Sequence, residues 1–293
     1  MSVVVPTHDT RELTLRCVTA LQGSREPLEV LVVDDASSDG TGDALAARFP
    51  HVAVLRCPAR TGFTRAANSG LARAQGEIVL LLNSDTEVEP GALTALLAAF
   101  DADHRLGAAG GLLHYPDGSA QWSGGREPGL FWLAALASGL PRALARWPAY
   151  RRWKPVGARA GGRVDWVTGA ALAVRRRALA EVGSLDERFR FYAQDLDLCL
   201  RLRDAGWGIA LLADFRVLHH HGATIGKEAG AAEGRQHAEL LWRDLLRWAA
   251  KRHGERWARR AALALWLGGT ARLLSLRLRD VFAGGSGDRP HRK

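Results

Sequence analysis

At 293 residues, with 47% apolar and 24% charged side chains, the chain has the size and composition of one large globular domain with an appendage. Its three cysteines, Cys17, Cys57 and Cys199, show no CxxC or Cys/His metal spacing, which argues against a disulfide framework or structural zinc and for a reducing compartment. The net charge of +9 belongs to residues 235–293, where 14 Lys and Arg face 5 Asp and Glu; residues 1–234 are balanced.

The start, Met1 followed by Ser-Val-Val-Val-Pro, lacks a basic leader and a long apolar run, so no signal peptide is expected. No stretch reaches 18 uninterrupted apolar residues, so no spanning helix is expected. From residue 2 to about 113, apolar strand candidates at 2–6, 28–34, 52–55, 77–83 and 106–113 alternate with helical patterns at 12–21, 42–48, 63–74 and 91–100. That alternation predicts an α/β fold whose sheet is mostly parallel and flanked by helices. In such sheets ligands bind beyond the carboxyl ends of the strands, which directs attention to the loops after Pro6, Asp34 and Asn83.

Residues 114–163 lose this rhythm and are rich in Gly, Pro and Trp (Trp122, Trp132, Trp147, Trp153), the pattern of an irregular lobe with one or two helices. A strand is predicted at 164–174, a short helix at 176–182, a helix at 194–205 ended by Gly206, and a strand at 208–212. From residue 233 the chain reads as basic helix, and the last ten residues read as a disordered end. The expected organisation is a catalytic domain over 1–232, a basic amphipathic helical extension over 233–283 and a tail over 284–293.

Four segments carry candidate chemistry. Asp34 and Asp35 end an apolar strand, where a carboxylate can accept from a base N–H or a ribose hydroxyl; helix capping by Asp35 and Ser38 is the competing reading. Asn83-Ser84-Asp85 also tips an apolar strand, and Asp85 is a hard oxygen ligand suited to Mg²⁺ or Mn²⁺, with a turn before Pro90 as the alternative. Asp195 and Asp197 stand two apart at a helix start, roughly 200° around the axis, so one faces a cleft while the other serves structure. The helix dipole favours an ionised carboxylate there, as a general base requires. The run His219-His220-His221 offers an imidazole ligand, or is a solvated loop.

In order and spacing, these segments resemble glycosyltransferase family 2, the inverting enzymes of the GT-A fold, and especially its rhamnosyltransferase-like bacterial members. The resemblance runs over about residues 2–225. It rests on Val3-Val4-Val5-Pro6-Thr7-His8, the DDASSDGT segment from Asp34, GFTRAANSG from Gly62, NSDTEV from Asn83, Trp166-Val167-Thr168-Gly169-Ala170, QDLDLCLR from Gln194, and the HxxGxT segment from His219.

The resemblance implies that Thr7, Asp34, Asp35, Arg65, Asn68 and Asn83 serve the nucleotide. Asp85 would hold Mg²⁺ or Mn²⁺ with His219 as a second ligand, and Asp195 would be the catalytic base. Gly169 and Gln194 would shape the acceptor side. It also implies a nucleotide-diphosphate sugar donor, a glycan or lipid-linked acceptor, and a role in bacterial cell-surface polysaccharide or glycolipid synthesis. Two positions depart from the family pattern: Asn83 stands where a DxD motif begins, and Gln194 replaces the Glu of a Glu-Asp pair.

Those departures keep a second reading open, a catalytically degenerate sugar-nucleotide or glycan-binding module at a membrane. No glycine follows the first strand in Thr7-His8-Asp9-Thr10, which argues against a nucleotidyltransferase or a dinucleotide dehydrogenase. The basic helices from residue 240 suit an anionic membrane surface or a structural cap on the domain, and no nucleic-acid partner is expected. The expected location is cytoplasmic, peripheral on the inner face of the cell membrane.

Overall fold

The computed structural model describes residues 1–139, 162–220 and 231–284, with backbone alone for 231–238 and 274–284. The 140–161 part of the irregular lobe, the HxxGxT segment beyond His220 and the tail past residue 284 lie outside the described residues. The chain forms two compact units, one of residues 1–127 and 155–245, the other of 128–154 and 246–293.

The first unit is built on one mixed sheet in the order β3-β2-β1-β4-β10-β6-β11-β5, with β8 (Gly162–Arg163) paired to β11. Strands β1 (Ser2–Thr7), β2 (Glu29–Asp34), β3 (Ala53–Arg56) and β4 (Ile78–Leu82) form the parallel half. All six residues of β1 and all five of β4 are buried. Their near-continuous Val, Leu and Ile runs are what strands covered on both faces require. The helices α1 (Arg11–Gln22), α2 (Thr41–Arg48), α3 (Phe63–Leu71) and α4 (Ala92–Ala102) follow their strands as the alternation predicts.

Leu15, Val18 and Leu21 of α1 and Leu93, Leu96 and Phe100 of α4 join Val3, Val5, Leu80 and Leu82 in a single core cluster. Each such side chain, fully buried, contributes about 1.5–3 kcal/mol. Helix α3 lies so close to the sheet that any side chain at Gly70 would collide with Val4 and Val33.

The other half of the sheet departs from simple alternation. The expected strand at 164–174 is two pieces, β9 (Trp166–Val167) and β10 (Ala171–Arg175), separated by a turn at 168–170. Strand β10 runs antiparallel between β4 and β6 (Leu106–His114), so its amino end lies at the same edge as the carboxyl ends of β1, β2 and β4. Strand β11 (Gly208–His219) extends well past the expected 208–212, because an irregularity between Leu212 and Arg216 lets it continue beside β6. A three-residue strand, β5 (Thr86–Val88), pairs antiparallel with its end. The short β7 (Gly124–Gly125) pairs with β9 in a separate two-stranded sheet. Helices α6 (Arg176–Val182) and α7 (Gln194–Asp204) complete this part.

The second unit contains α5 (Leu130–Ser138), the end of α8 (Ala231–His253) and α9 (Glu255–Gly284). Gly268 allows α9 to approach α5 at Ala134 and Ala137, where a larger residue would collide. Trp248 is 1% exposed and packs edge-on against Trp257 and His253. No helix among the described residues is long and apolar enough to cross a membrane.

Candidate functional site

At the carboxyl edge of the sheet, β1 and β2 pair in register with Thr7 opposite Asp34. The N–H of Asp35 donates to the Thr7 carbonyl at 2.9 Å. The Thr7 hydroxyl is buried against those of Thr10 (2.9 Å) and Thr14 (2.7 Å), and Thr10 reaches Ser84 at 3.0 Å. This hydroxyl cluster ties the tip of β1 to the Asn83-Ser84-Asp85 tip of β4.

Neither Asp35 nor Ser38 caps α2: its N-cap is Gly40, in the left-handed region, and Asp39 accepts from the Thr41 N–H at 3.0 Å instead. Asp34 accepts from the Ser37 N–H at 2.9 Å. Asp35 is 3% exposed and accepts from the N–H groups of Thr61 (2.6 Å) and Gly62 (2.8 Å), fixing the start of α3. Gly62 adopts φ +90°, a conformation that a side chain would strain.

The polar face of α3 reaches the segment leading into α7. Thr64 donates to the Phe189 carbonyl at 2.6 Å and Arg65 to Glu187 at 3.1 Å. Asn68 clasps Leu185 through both backbone groups, at 2.9 and 3.1 Å. Arg65 and Asn68 are thus engaged with 185–187.

The β5–β11 pairing delivers His219 to Asp85. The register sets His219 opposite Thr86, and the His220 N–H donates to the Asp85 carbonyl at 2.9 Å. His219 Nε2 then stands 3.3 Å from Asp85 Oδ1, with both side chains under 9% exposed. On the ring's other side, Gln121 meets His219 Nδ1 at 2.8 Å and donates to the His219 carbonyl at 2.6 Å. His220 turns instead to Glu87 at 2.8 Å.

The 168–170 turn joins this cluster to α7. Asn83 donates its N–H to the Ala170 carbonyl at 3.0 Å, and Gly169 donates its N–H to Asp195 Oδ2 at 2.7 Å. Asp195 Oδ1 accepts from the Leu196 N–H at 2.8 Å. Burial pushes the Asp195 carboxyl above its ordinary value, and these backbone donors offset only part of that rise. Asp197, two positions on, binds Arg201 at 2.8 Å, and Arg201 in turn holds the Gly183 and Ser184 carbonyls. The two carboxylates thus make separate contacts, Asp195 with the 168–170 turn and Asp197 with Arg201, as positions about 200° apart on a helix do.

Two further features mark the site. The described residues other than glycine with positive φ are Asp9 after β1, Ala36 after β2 and Ala193 before α7. All three flank candidate residues, and strained backbone of this kind concentrates at functional sites. Second, Asn83 Oδ1, Thr168 Oγ1 and Gln194 Oε1 are buried without a hydrogen-bond partner among the described residues. Buried acceptors in this state suit a hydroxyl-rich ligand that supplies the missing donors.

Sequence reasoning passed over Gln121 and Asp244. Asp244 is fully buried on α8 and accepts from the N–H groups of Arg190, Phe191 and Tyr192 at 3.2, 3.3 and 3.2 Å, bracing the loop into α7. A lone glutamine after a turn and one acid on a basic helix carry no local signature.

A divalent cation fits the donor set. Asp85 and His219 present a hard carboxylate and an imidazole side by side, and the ring's other nitrogen is held by an amide, as metal-bound histidines usually are. No group of three His, Cys, Asp or Glu among the described residues could hold a metal by itself. Beside phosphates, Mg²⁺ usually keeps oxygens of the ligand and water in its shell.

The sequence profile of "Glycosyl transferase family 2" matches residues 2–183. The N-acetylglucosaminyl-diphospho-decaprenol L-rhamnosyltransferase of Mycobacterium tuberculosis is 32% identical over 287 residues, covering 86% of this chain and 89% of that protein. The pre-mycofactocin glycosyltransferase of the same species is 28% identical over 75% of this chain and 43% of its own. Among solved structures, the mannosyltransferase PcManGT from Pyrobaculum calidifontis, in complex with GDP-Man and Mn²⁺, superposes with a TM-score of 0.61 at 20% identity, covering 97% of this chain and 79% of that one. Residues 1–349 of S. aureus TarS, in complex with UDP, superpose with a TM-score of 0.54 at 17% identity, covering 84% and 70%. These neighbours share the fold, a mostly parallel sheet flanked by helices with a helical C-terminal part. With the profile spanning more than half of the chain and a relative this similar along nearly all of its own length, the chain belongs to glycosyl transferase family 2 and is a glycosyltransferase of the GT-A fold.

Proposed function

We propose that the chain transfers a sugar from a nucleoside diphosphate to an acceptor hydroxyl with inversion, using Asp195 as the base. The observation that carries this reading is the chain of contacts Asp195–Gly169–Ala170–Asn83, which links a half-buried carboxylate to the Asn83–Asp85 tip. Asp195 takes the proton from the acceptor hydroxyl. That oxygen bonds to the anomeric carbon from the face opposite the diphosphate, whose C–O bond breaks with the electron pair leaving on oxygen. One displacement inverts the centre. A carboxylate raised above its ordinary pKa is a stronger proton acceptor.

Asp85 and His219 would hold a Mg²⁺ or Mn²⁺ ion, whose charge offsets that of the departing diphosphate. We assign Asp34 and Asp35, beside Thr7, and Asn83 to the nucleoside end of the donor. Gly169 and Gln194 shape the acceptor side, and the unpartnered oxygens of Asn83, Thr168 and Gln194 would receive sugar hydroxyls.

The similarity to an enzyme named for a diphospho-decaprenol substrate supports a lipid-linked acceptor and a place in cell-surface polysaccharide synthesis. The outward face of α9 supports a peripheral seat on the inner side of the membrane. Arg256, Arg259 and Arg260 begin that face, and Leu263, Trp266, Leu267 and Leu273 continue it, each more than half exposed. The assay that tests the reading offers nucleotide sugars with Mn²⁺ and hydroxyl acceptors, and follows nucleoside diphosphate release and product anomer. Inverted product supports it. Tight donor binding without turnover across acceptors would favour a non-catalytic binder.

A further inference from the structure

We infer that Gln121 is a positioning residue that locks His219 in its Nδ1–H tautomer and so aims the Nε2 lone pair at Asp85. The inference rests on the proposed cation at Asp85 and His219. Gln121 lies after β6, is 7% exposed, and bonds His219 through both ends of its amide. The His219 carbonyl can only accept, so the 2.6 Å contact belongs to the amide nitrogen. The amide oxygen is then the atom 2.8 Å from Nδ1, and because it too can only accept, Nδ1 must carry a proton.

In the neutral ring, a proton on Nδ1 leaves the electron pair on Nε2, the nitrogen that stands 3.3 Å from Asp85 Oδ1. A divalent cation placed between that nitrogen and the carboxylate would take both as ligands. The clamp is itself braced. The Gln121 N–H donates to the Leu113 carbonyl at 2.8 Å, and Ser123 Oγ, which accepts from the Leu113 N–H at 2.9 Å, reaches the Gln121 carbonyl at 3.3 Å. Without Gln121 the ring is free to place its proton on Nε2 and donate to Asp85, which closes the pair to a metal.

The test uses the full chain without metal, at alkaline pH where imidazoles are neutral, and reads the His219 tautomer from ring ¹⁵N NMR, assigned with His219→Gln. Binding of Mn²⁺ alone is measured in parallel from the electron paramagnetic resonance signal of the free ion. Wild type should show Nδ1–H. Gln121→Leu should shift to Nε2–H and bind Mn²⁺ about 10–100-fold more weakly, while Gln121→Glu, which keeps the acceptor, should retain the Nδ1–H form. An Nε2–H ring in wild type overturns the inference, and so does unchanged Mn²⁺ affinity in Gln121→Leu. The wild-type tautomer decides the matter even if the variants fold poorly. Wild type that shows Nδ1–H yet binds no Mn²⁺ overturns the proposed cation, and with it the purpose assigned to the clamp.

Discussion

Gly169 gives its backbone N–H to Oδ2 of Asp195 at 2.7 Å, across 26 residues of sequence. Because Gly169 precedes Ala170, which holds Asn83, this one bond places the start of α7 beside the tip of β4. The account of the site turns on that proximity.

The pH dependence of turnover follows from the burial of Asp195. Its folded pKa is raised above 3.8, so the proton is held to higher pH and the active carboxylate is lost sooner on acidification. The acidic limb of kcat/KM should lie above the range of an ordinary carboxyl, and an acid limb at or below it would contradict the assignment. The stability linkage runs the same way. A raised carboxyl contributes stability below its unfolded pKa that is lost as pH rises through the folded value, so Asp195→Asn should flatten the fall of stability through that window in pH-dependent thermal melts.

Asp244 accepts from the N–H groups of all three residues 190–192, immediately before Ala193 at φ +64°. Removing a buried acceptor leaves its donors unsatisfied at about 1–3 kcal/mol. Asp244→Ala should lower Tm by several degrees and speed hydrogen exchange at 190–193, with Asp244→Asn in between. Unchanged exchange in that loop would show the brace to be idle.

Much of this site was legible from the chain alone, and the remainder divides by range. The tips at Thr7, Asp34 and Asn83 stand out because buried parallel strands are apolar runs that end abruptly in polar residues. The helix at 176–182 and the start of the helix at Gln194 follow from local pattern. What escapes is set by pairing partners far away. Strand β5 is three residues long and exists because β11 runs past it. Strand β10 reverses direction between β4 and β6, which no periodicity announces. Arg65 and Asn68 reach residues more than 110 positions away, and Gln121 finds His219 across 98.

Metal binding should depend on both members of the proposed pair. Asp85→Asn and His219→Ala should each abolish the Mn²⁺-dependent part of donor binding in isothermal titration. Donor affinity that is equal with and without Mn²⁺ in wild type would remove the ion from the account.

The outward face of α9 predicts binding to anionic vesicles that weakens with salt. Each arginine near such a surface contributes about 1 kcal/mol, so changing Arg256, Arg259 and Arg260 together to Gln should cut vesicle co-flotation by about two orders of magnitude. Trp266→Ala should weaken it at every salt concentration. Equal flotation of all variants would assign the face to another contact.

The most direct measurement is turnover of Asp195→Asn alongside donor binding by the same protein. The account predicts donor affinity near wild type with Mn²⁺ present, and transfer slower by about 10²–10⁴-fold. Turnover close to wild type would mean that another group takes the proton and that Asp195 is not the base.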